Sequence, residues 1–166
     1  MPPELDSYDL KILAELQRDG GASNQQIADR VGLSPSPCSR RIRQLEESGV
    51  IRERAVRLDA AKLGLDLTVL IHIRMDRHTP ERFAQFESAL RALPEVQECF
   101  LITGQEADYQ LKVTVPSMDD YQRFLLNKIT LIEGVIGVHS SFVLRKPIDT
   151  TALPLSYLKP RSRSSA

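Results

Sequence analysis

Cysteine is scarce in this chain: two residues in 166, Cys38 and Cys99. They fall in different expected elements and belong to no metal-ligand spacing, so neither a disulfide framework nor a zinc motif is written here. Cys38 falls on the apolar side of an expected helix, where a free cysteine is a small buried hydrophobe. Net charge is missing too, with 22 basic residues against 22 acidic ones. Indiscriminate adhesion to polyanions is therefore not expected, and any nucleic-acid binding must come from local clustering. Long apolar runs are absent. The longest, about Leu67 to Ile73, is too short to cross a bilayer. Met1-Pro2-Pro3-Glu4 lacks the basic and apolar run of a signal peptide, so a soluble, reducing, cytoplasmic setting is expected. No serine or cysteine is framed by a glycine elbow, and no phosphate-cradling loop is present. His72, His78 and His139 are scattered over different elements. Catalysis, a metal and a cofactor are not expected.

What is present is concentrated between Ser23 and Arg57. Ser23 can cap a helix with Gln26 three residues on, a capping box. Ile27, Ala28 and Val31 share one face of that helix, and Gly32 suits the left-handed position that ends it. Ser34 can cap again, with Pro35 at the first helical position. The second helix turns Cys38, Ile42 and Leu45 to one side and Ser36, Ser39, Arg40 and Arg43 to the other, and ends at Gly49. A helix, a tight turn and a second helix with an arginine-rich outer face form the layout of a helix-turn-helix reader of the DNA major groove. Residues 50–58 follow as a basic hairpin, the wing of a winged helix. Against this stands plain packing, in which a charged helix face is only solvated. The brevity of the helices, the tight turn and the basic ribbon favour double-stranded DNA.

Within the reading, Ser36, Ser39, Arg40 and Arg43 meet base edges. Ser34 and Ser36 suit phosphate oxygens at the helix N-terminus. Arg52, Arg54 and Arg57 contact backbone phosphate from the wing. Arg41 joins the DNA face, pairs with a neighbouring glutamate or is simply solvated. Asn24, Gln25 and Gln26 touch the DNA backbone or merely cap.

The rest of the chain completes an α+β architecture. Asp6 can cap a first helix running to about Arg18, with Leu5, Leu10, Leu13 and Leu16 inward. Residues 59–64 read as a short helical linker. From Leu67 the pattern shifts to period 2, giving a strand to Met75. A helix follows from Thr79 and Pro80 to Leu93, then strands from Val96 to Thr103 and Tyr109 to Val115. A second helix opens at Ser117 and ends at Gly134, and a fourth strand runs from Val135 to Leu144. The order βαββαβ is the ferredoxin-like split arrangement. Both helices cover one face of such a sheet, and a partner subunit commonly covers the other. The expected boundaries are 1–58 for the DNA-binding domain, 59–66 for the linker, 67–146 for the second domain and 147–166 for the tail. Residues 150–155 are apolar enough to pack on a subunit surface, and 159–166 read as disordered.

Four segments carry a family resemblance: residues 6–13, 31–42, 101–109, and 140–144 with 150–155. Together they resemble the Lrp/AsnC, or feast/famine, family of bacterial and archaeal transcription regulators. The resemblance spans about residues 5 to 158. It implies an N-terminal domain that binds operator DNA. It implies a C-terminal domain that makes homodimers, which in many members assemble into octamers. It also implies a free amino acid bound between dimers that changes assembly or DNA affinity.

A free amino acid needs a carboxylate for its ammonium and clustered donors for its own carboxylate. The hairpin Thr103, Gly104, Gln105, Glu106 and Asp108 supplies these, with Asp108 taking the ammonium. Ser140 or Ser141 and turn N–H groups hold the carboxylate, His139 lines the interface, and Met118 and Phe142 bound the side-chain pocket. That pocket leans toward leucine, methionine or a similar side chain. The spacing from Gly104 to Asp108 is one residue longer than the family pattern. Either the turn carries a bulge or Glu106 takes part of the role. Two alternatives stay open: an effector-independent regulator of the same fold, and a ferredoxin-like enzyme.

Overall fold

The computed structural model describes residues 4–103 and 106–160. The chain divides into two units. One joins residues 1–57 to the tail from Ile148, and the other spans Leu58–Pro147.

In the first unit, α1 (Ser7–Arg18), α2 (Asn24–Val31) and α3 (Pro35–Glu47) surround a small core of Ile12, Leu13, Ala22, Ile27, Ala28, Val31, Cys38, Ile42 and Leu45. Each start has a local cause. Asp6 accepts from the backbone N–H groups of Tyr8 and Asp9, and Asp9 returns a bond to the Asp6 N–H. Ser23 and Gln26 form the expected box, and Gly32 ends α2 at φ +74°. Ser34 is different, because it makes no side-chain cap bond. Its usual donor would be the N–H of the third helical residue, and that residue is Pro37. Ile12 is fully buried where the sequence reading had favoured Leu10, which is only half-buried.

Residues 52–58 belong to no helix or strand, so the expected basic hairpin is not formed as a ladder. No Asn-Gly, Gly-Gly or Pro turn interrupts Val50–Leu58, and a lone two-stranded ribbon is marginal in water. The tail returns to this unit. Leu155 packs on its core, and Gln17 and Leu153 exchange two hydrogen bonds.

In the second unit a turn at Ala61–Leu63 leads into β1 (Leu67–Met75), α4 (Pro80–Arg91), β2 (Val96–Leu101), β3 (Tyr109–Val115), α5 (Met118–Asn127) and β4 (Val135–Phe142). The sheet order is β2-β3-β1-β4, with every neighbouring pair antiparallel. Alternation puts Val69, Ile71, Ile73 and Met75 on the same face as Tyr109, Leu111, Val113 and Val115. Phe86 and Leu90 of α4 and Tyr121 and Phe124 of α5 cover that face. The opposite face carries His72, Arg74, Gln110, Lys112, His139 and Ser141. Helix α5 stops at Asn127, short of Gly134; Ile129–Leu131 form a separate 3₁₀ turn, and Gly134 occupies φ +94° just before β4.

Candidate functional site

Helix α3 divides its arginines by role. Arg40 is exposed and has no ion-pair or hydrogen-bond partner among the described residues, so its guanidinium is available. Arg43 is also exposed, with its Nε 2.7 Å from Glu47 one turn on. Ser39 accepts from Asn24 at 3.3 Å, which ties the start of α2 to the middle of α3. Ser34 and Ser36 are exposed at the α3 N-terminus. Between two prolines, Ser36 supplies the only backbone N–H of the first three residues.

Arg41 points inward. Its guanidinium reaches Asp9 at 2.7 Å and Asp6 at 2.9 Å, and lies 5.7 Å from the Tyr8 ring centre. Burial works to raise the Asp6 carboxyl, but the Asp9 N–H, Arg41 and the Tyr8 N–H outweigh it and hold it below the ordinary value. Both charges of Arg41's partners come from α1, so the residue fastens α3 to α1. The sequence left DNA, a neighbouring glutamate or solvent open for Arg41, and its partners are instead two aspartates distant in the chain. The wing segment is similarly divided. Arg52 is exposed and unpaired among the described residues, Arg54 reaches Glu46 at 3.2 Å, and Arg57 reaches Asp149 at 2.5 Å.

The residues expected to hold an effector fall into three groups on the second unit. Gly104 and Gln105 lie outside the described residues, and Thr103 is exposed at the near edge of the turn. The first group centres on Asp108. Its N–H donates to Ile73 O and its carbonyl accepts from Ile102, both at 2.8 Å. Its carboxylate accepts from the Met75 N–H at 2.7 Å and from the His78 ring at 2.6 Å. In the second group, Tyr121 and Ser140 share a hydrogen bond, and Phe142 stands edge-on to Tyr121 at 5.5 Å. Burial, which outweighs the Ser140 bond, raises the Tyr121 phenol. Met118 is exposed at the start of α5. The third group lines a groove of about 460 Å³, where Glu106, His139 and Ser141 meet His72 and Arg74.

The first two groups do not converge within one chain. Tyr109 pairs with Ile73, whereas Ser140 pairs with Ile71 and Phe142 with Val69. Strand geometry then separates the backbones of Asp108 and Ser140 by roughly 14 Å, counting rise and two strand spacings. His78 is not among the residues the sequence nominates for this site. Only the β1–β3 register, which brings Asp108 beside the exit of β1, places it here. Among the described residues, no group of three or more histidine, cysteine or acidic side chains could hold a metal, and no helix is long and apolar enough to cross a membrane.

Two family models match this chain, a winged helix-turn-helix DNA-binding domain over residues 5–52 and an Lrp/AsnC ligand binding domain over residues 68–153. The chain belongs to the Lrp/AsnC family. The Bkd operon transcriptional regulator of Pseudomonas aeruginosa is 41% identical over 92% of this chain and 99% of its own length. The leucine-responsive regulatory protein of Escherichia coli K12 is 39% identical, covering 86% and 87%. A Neisseria meningitidis transcriptional regulator solved as an L-Met complex superposes with a TM-score of 0.87 at 38% identity, covering 92% of this chain and 97% of that one. An AsnC family regulator of Agrobacterium tumefaciens gives 0.87 at 39% identity, covering 93% and 100%. This Lrp/AsnC protein is accordingly a DNA-binding transcriptional regulator and not an enzyme.

Proposed function

We propose that this regulator reads operator DNA with the outer face of α3 and changes its assembly or affinity when a free amino acid binds its second unit. Ser36, Ser39, Arg40 and Arg43 are assigned to base edges. An arginine can bond guanine O6 and N7 together, which supplies about 1–3 kcal/mol of discrimination. Ser34, Arg52 and Arg54 are assigned to phosphates. Arg41, held by Asp6 and Asp9, is left out of the reading face. The protein works in the cytoplasm as a homodimer or higher oligomer.

The observation that carries the effector reading is the fixed placement of Asp108. Three hydrogen bonds, two to its backbone and one from Met75 to its side chain, leave its carboxylate aimed from a rigid strand end. Such an acceptor suits an ammonium ion. Ser140, assigned to the effector's carboxylate, lies too far along the sheet to reach the same small molecule as Asp108. A second copy therefore supplies one half of the site, and binding couples directly to assembly. The Neisseria meningitidis relative, solved with L-Met, supports a compact apolar amino acid as the effector class.

A thermal-shift series against the twenty amino acids tests this, since a ligand of the folded state stabilises by RT ln(1 + [L]/Kd). One clear hit that disappears in Asp108→Ala is the expected result. No hit at millimolar concentration would make the protein an effector-independent regulator.

A further inference from the structure

Asp108 is already occupied. Of its two carboxylate oxygens, Oδ2 takes the N–H of Met75 at the last residue of β1. Removing that bond would leave a strand-end N–H without its acceptor, so Oδ2 is committed to the fold. Oδ1 takes the ring N–H of His78 at 2.6 Å. The two partners differ in how firmly they are held. The Asp108 side chain is 16% exposed and its backbone is bonded at both ends, whereas the His78 side chain is 66% exposed. His78 also approaches Phe83 edge-on, with ring centres 6.0 Å apart. A fixed acceptor thus carries a donor that is free to swing into solvent.

We infer that His78 is a built-in competitor for the effector's ammonium, an internal plug on Oδ1 that an amino acid has to loosen or displace as it engages Asp108. The inference rests on the effector reading above and adds a regulator of that same site. The His78 ring N–H and an ammonium N–H ask for the same oxygen in the same way, by donation to a carboxylate. A carboxylate oxygen can accept two donors, but each bond is weaker when two share it, so part of the effector's binding free energy goes into loosening or displacing the histidine. The affinity seen is the intrinsic affinity reduced by the fraction of molecules with the plug out. His78 therefore sets the concentration at which the regulator responds. The competition is confined to the ammonium end of the ligand, because His78 touches none of Ser140, Phe142 or Met118.

The test compares the full-length protein with His78→Ala by calorimetry, using whichever of the twenty L-amino acids shifts the wild type most and the α-hydroxy acid analogue of that compound. Binding of operator DNA by the unliganded variant checks its fold. The expected result is an amino-acid affinity about fivefold tighter in His78→Ala, from the loss of one exchangeable charge-assisted hydrogen bond. The hydroxy acid, which has no ammonium to present, should gain nothing. Unchanged or weaker amino-acid binding in His78→Ala would overturn the plug while leaving the effector site in place. An equal gain for both compounds would also overturn it, since the histidine would then be acting on the pocket in general. Failure of both proteins to bind any of the twenty amino acids would remove the effector reading, and the plug with it.

Discussion

Arg41 stands 2.7 Å from Asp9, and this one contact joins the middle of α3 to the first turn of α1. Asp6, which caps α1, completes the arrangement from 2.9 Å. Helix α3 is thereby held through its inward arginine, while the outward Arg40 remains available. Arg41→Ala removes the fastening and leaves two half-buried carboxylates facing one another. A loss of about 1–3 kcal/mol in the stability of the first unit is expected, read as a drop in the denaturant midpoint.

The same contact predicts a pH dependence. The folded Asp6 carboxyl titrates below its ordinary 3.8. Its stabilising contribution is then fully present above that value and is lost as pH falls through the lower, folded one. Wild-type stability should decline on acidification below about pH 4, and Arg41→Ala should show a shallower decline over the same window. A parallel decline in both proteins would contradict the assignment.

Arg40 and Arg52 should separate by the kind of binding they support. Arg40→Ala is expected to cost about 1–3 kcal/mol on the specific operator and to relax preference at one base pair. Arg52→Ala is expected to weaken binding to all sequences alike and to lower the slope of log K against log salt by about 1. Titrations on specific and random duplexes at several salt concentrations would distinguish them.

Gly134 predicts a local failure. Its φ of +94° is one that side chains rarely adopt, and an added Cβ would come within 2.6 Å of Arg82 Cδ. That arginine is engaged with Asp76 and Glu133. Gly134→Ala should destabilise the second unit by about 1–3 kcal/mol. Differential melting that leaves the first unit unaffected would locate the damage.

Most of the fold was legible because its signals are local. Asp6, Ser23, Thr79 and Ser117 announce helix starts through side chains that bond residues two or three positions on, and all four do so. The strand Leu67–Met75 follows from its branched, period-2 pattern, and Tyr109–Val115 from its place as the hairpin partner of the strand before it. Ser34 misled because its expected donor is a proline, a fact present in the sequence but easily missed beside the favourable Pro35. Long-range pairing was less legible. Nothing near Arg41 foretells Asp6 and Asp9, because the pairing depends on how α1 packs on α3. Likewise, the partnership of Asp108 with His78 exists only once a strand register has been chosen, and periodicity does not choose one. The separation of Asp108 from Ser140 has the same origin: sequence can nominate both as ligand groups, but distance is a property of the sheet.

The tail gives the chain an unusual order of completion. Residues up to 57 are synthesised first, yet the unit they form includes Leu155 in its core margin and Leu153 bonded to Gln17. The ligand-binding unit lies between these pieces, as an insertion within the DNA-binding one. During translation it leaves the ribosome whole, with all four strands available, while the helices ahead of it still lack their last packing partner. The part of the protein made first is therefore the part finished last, and a chain cut short after β4 would carry all four strands of the second unit without the tail that packs on the first.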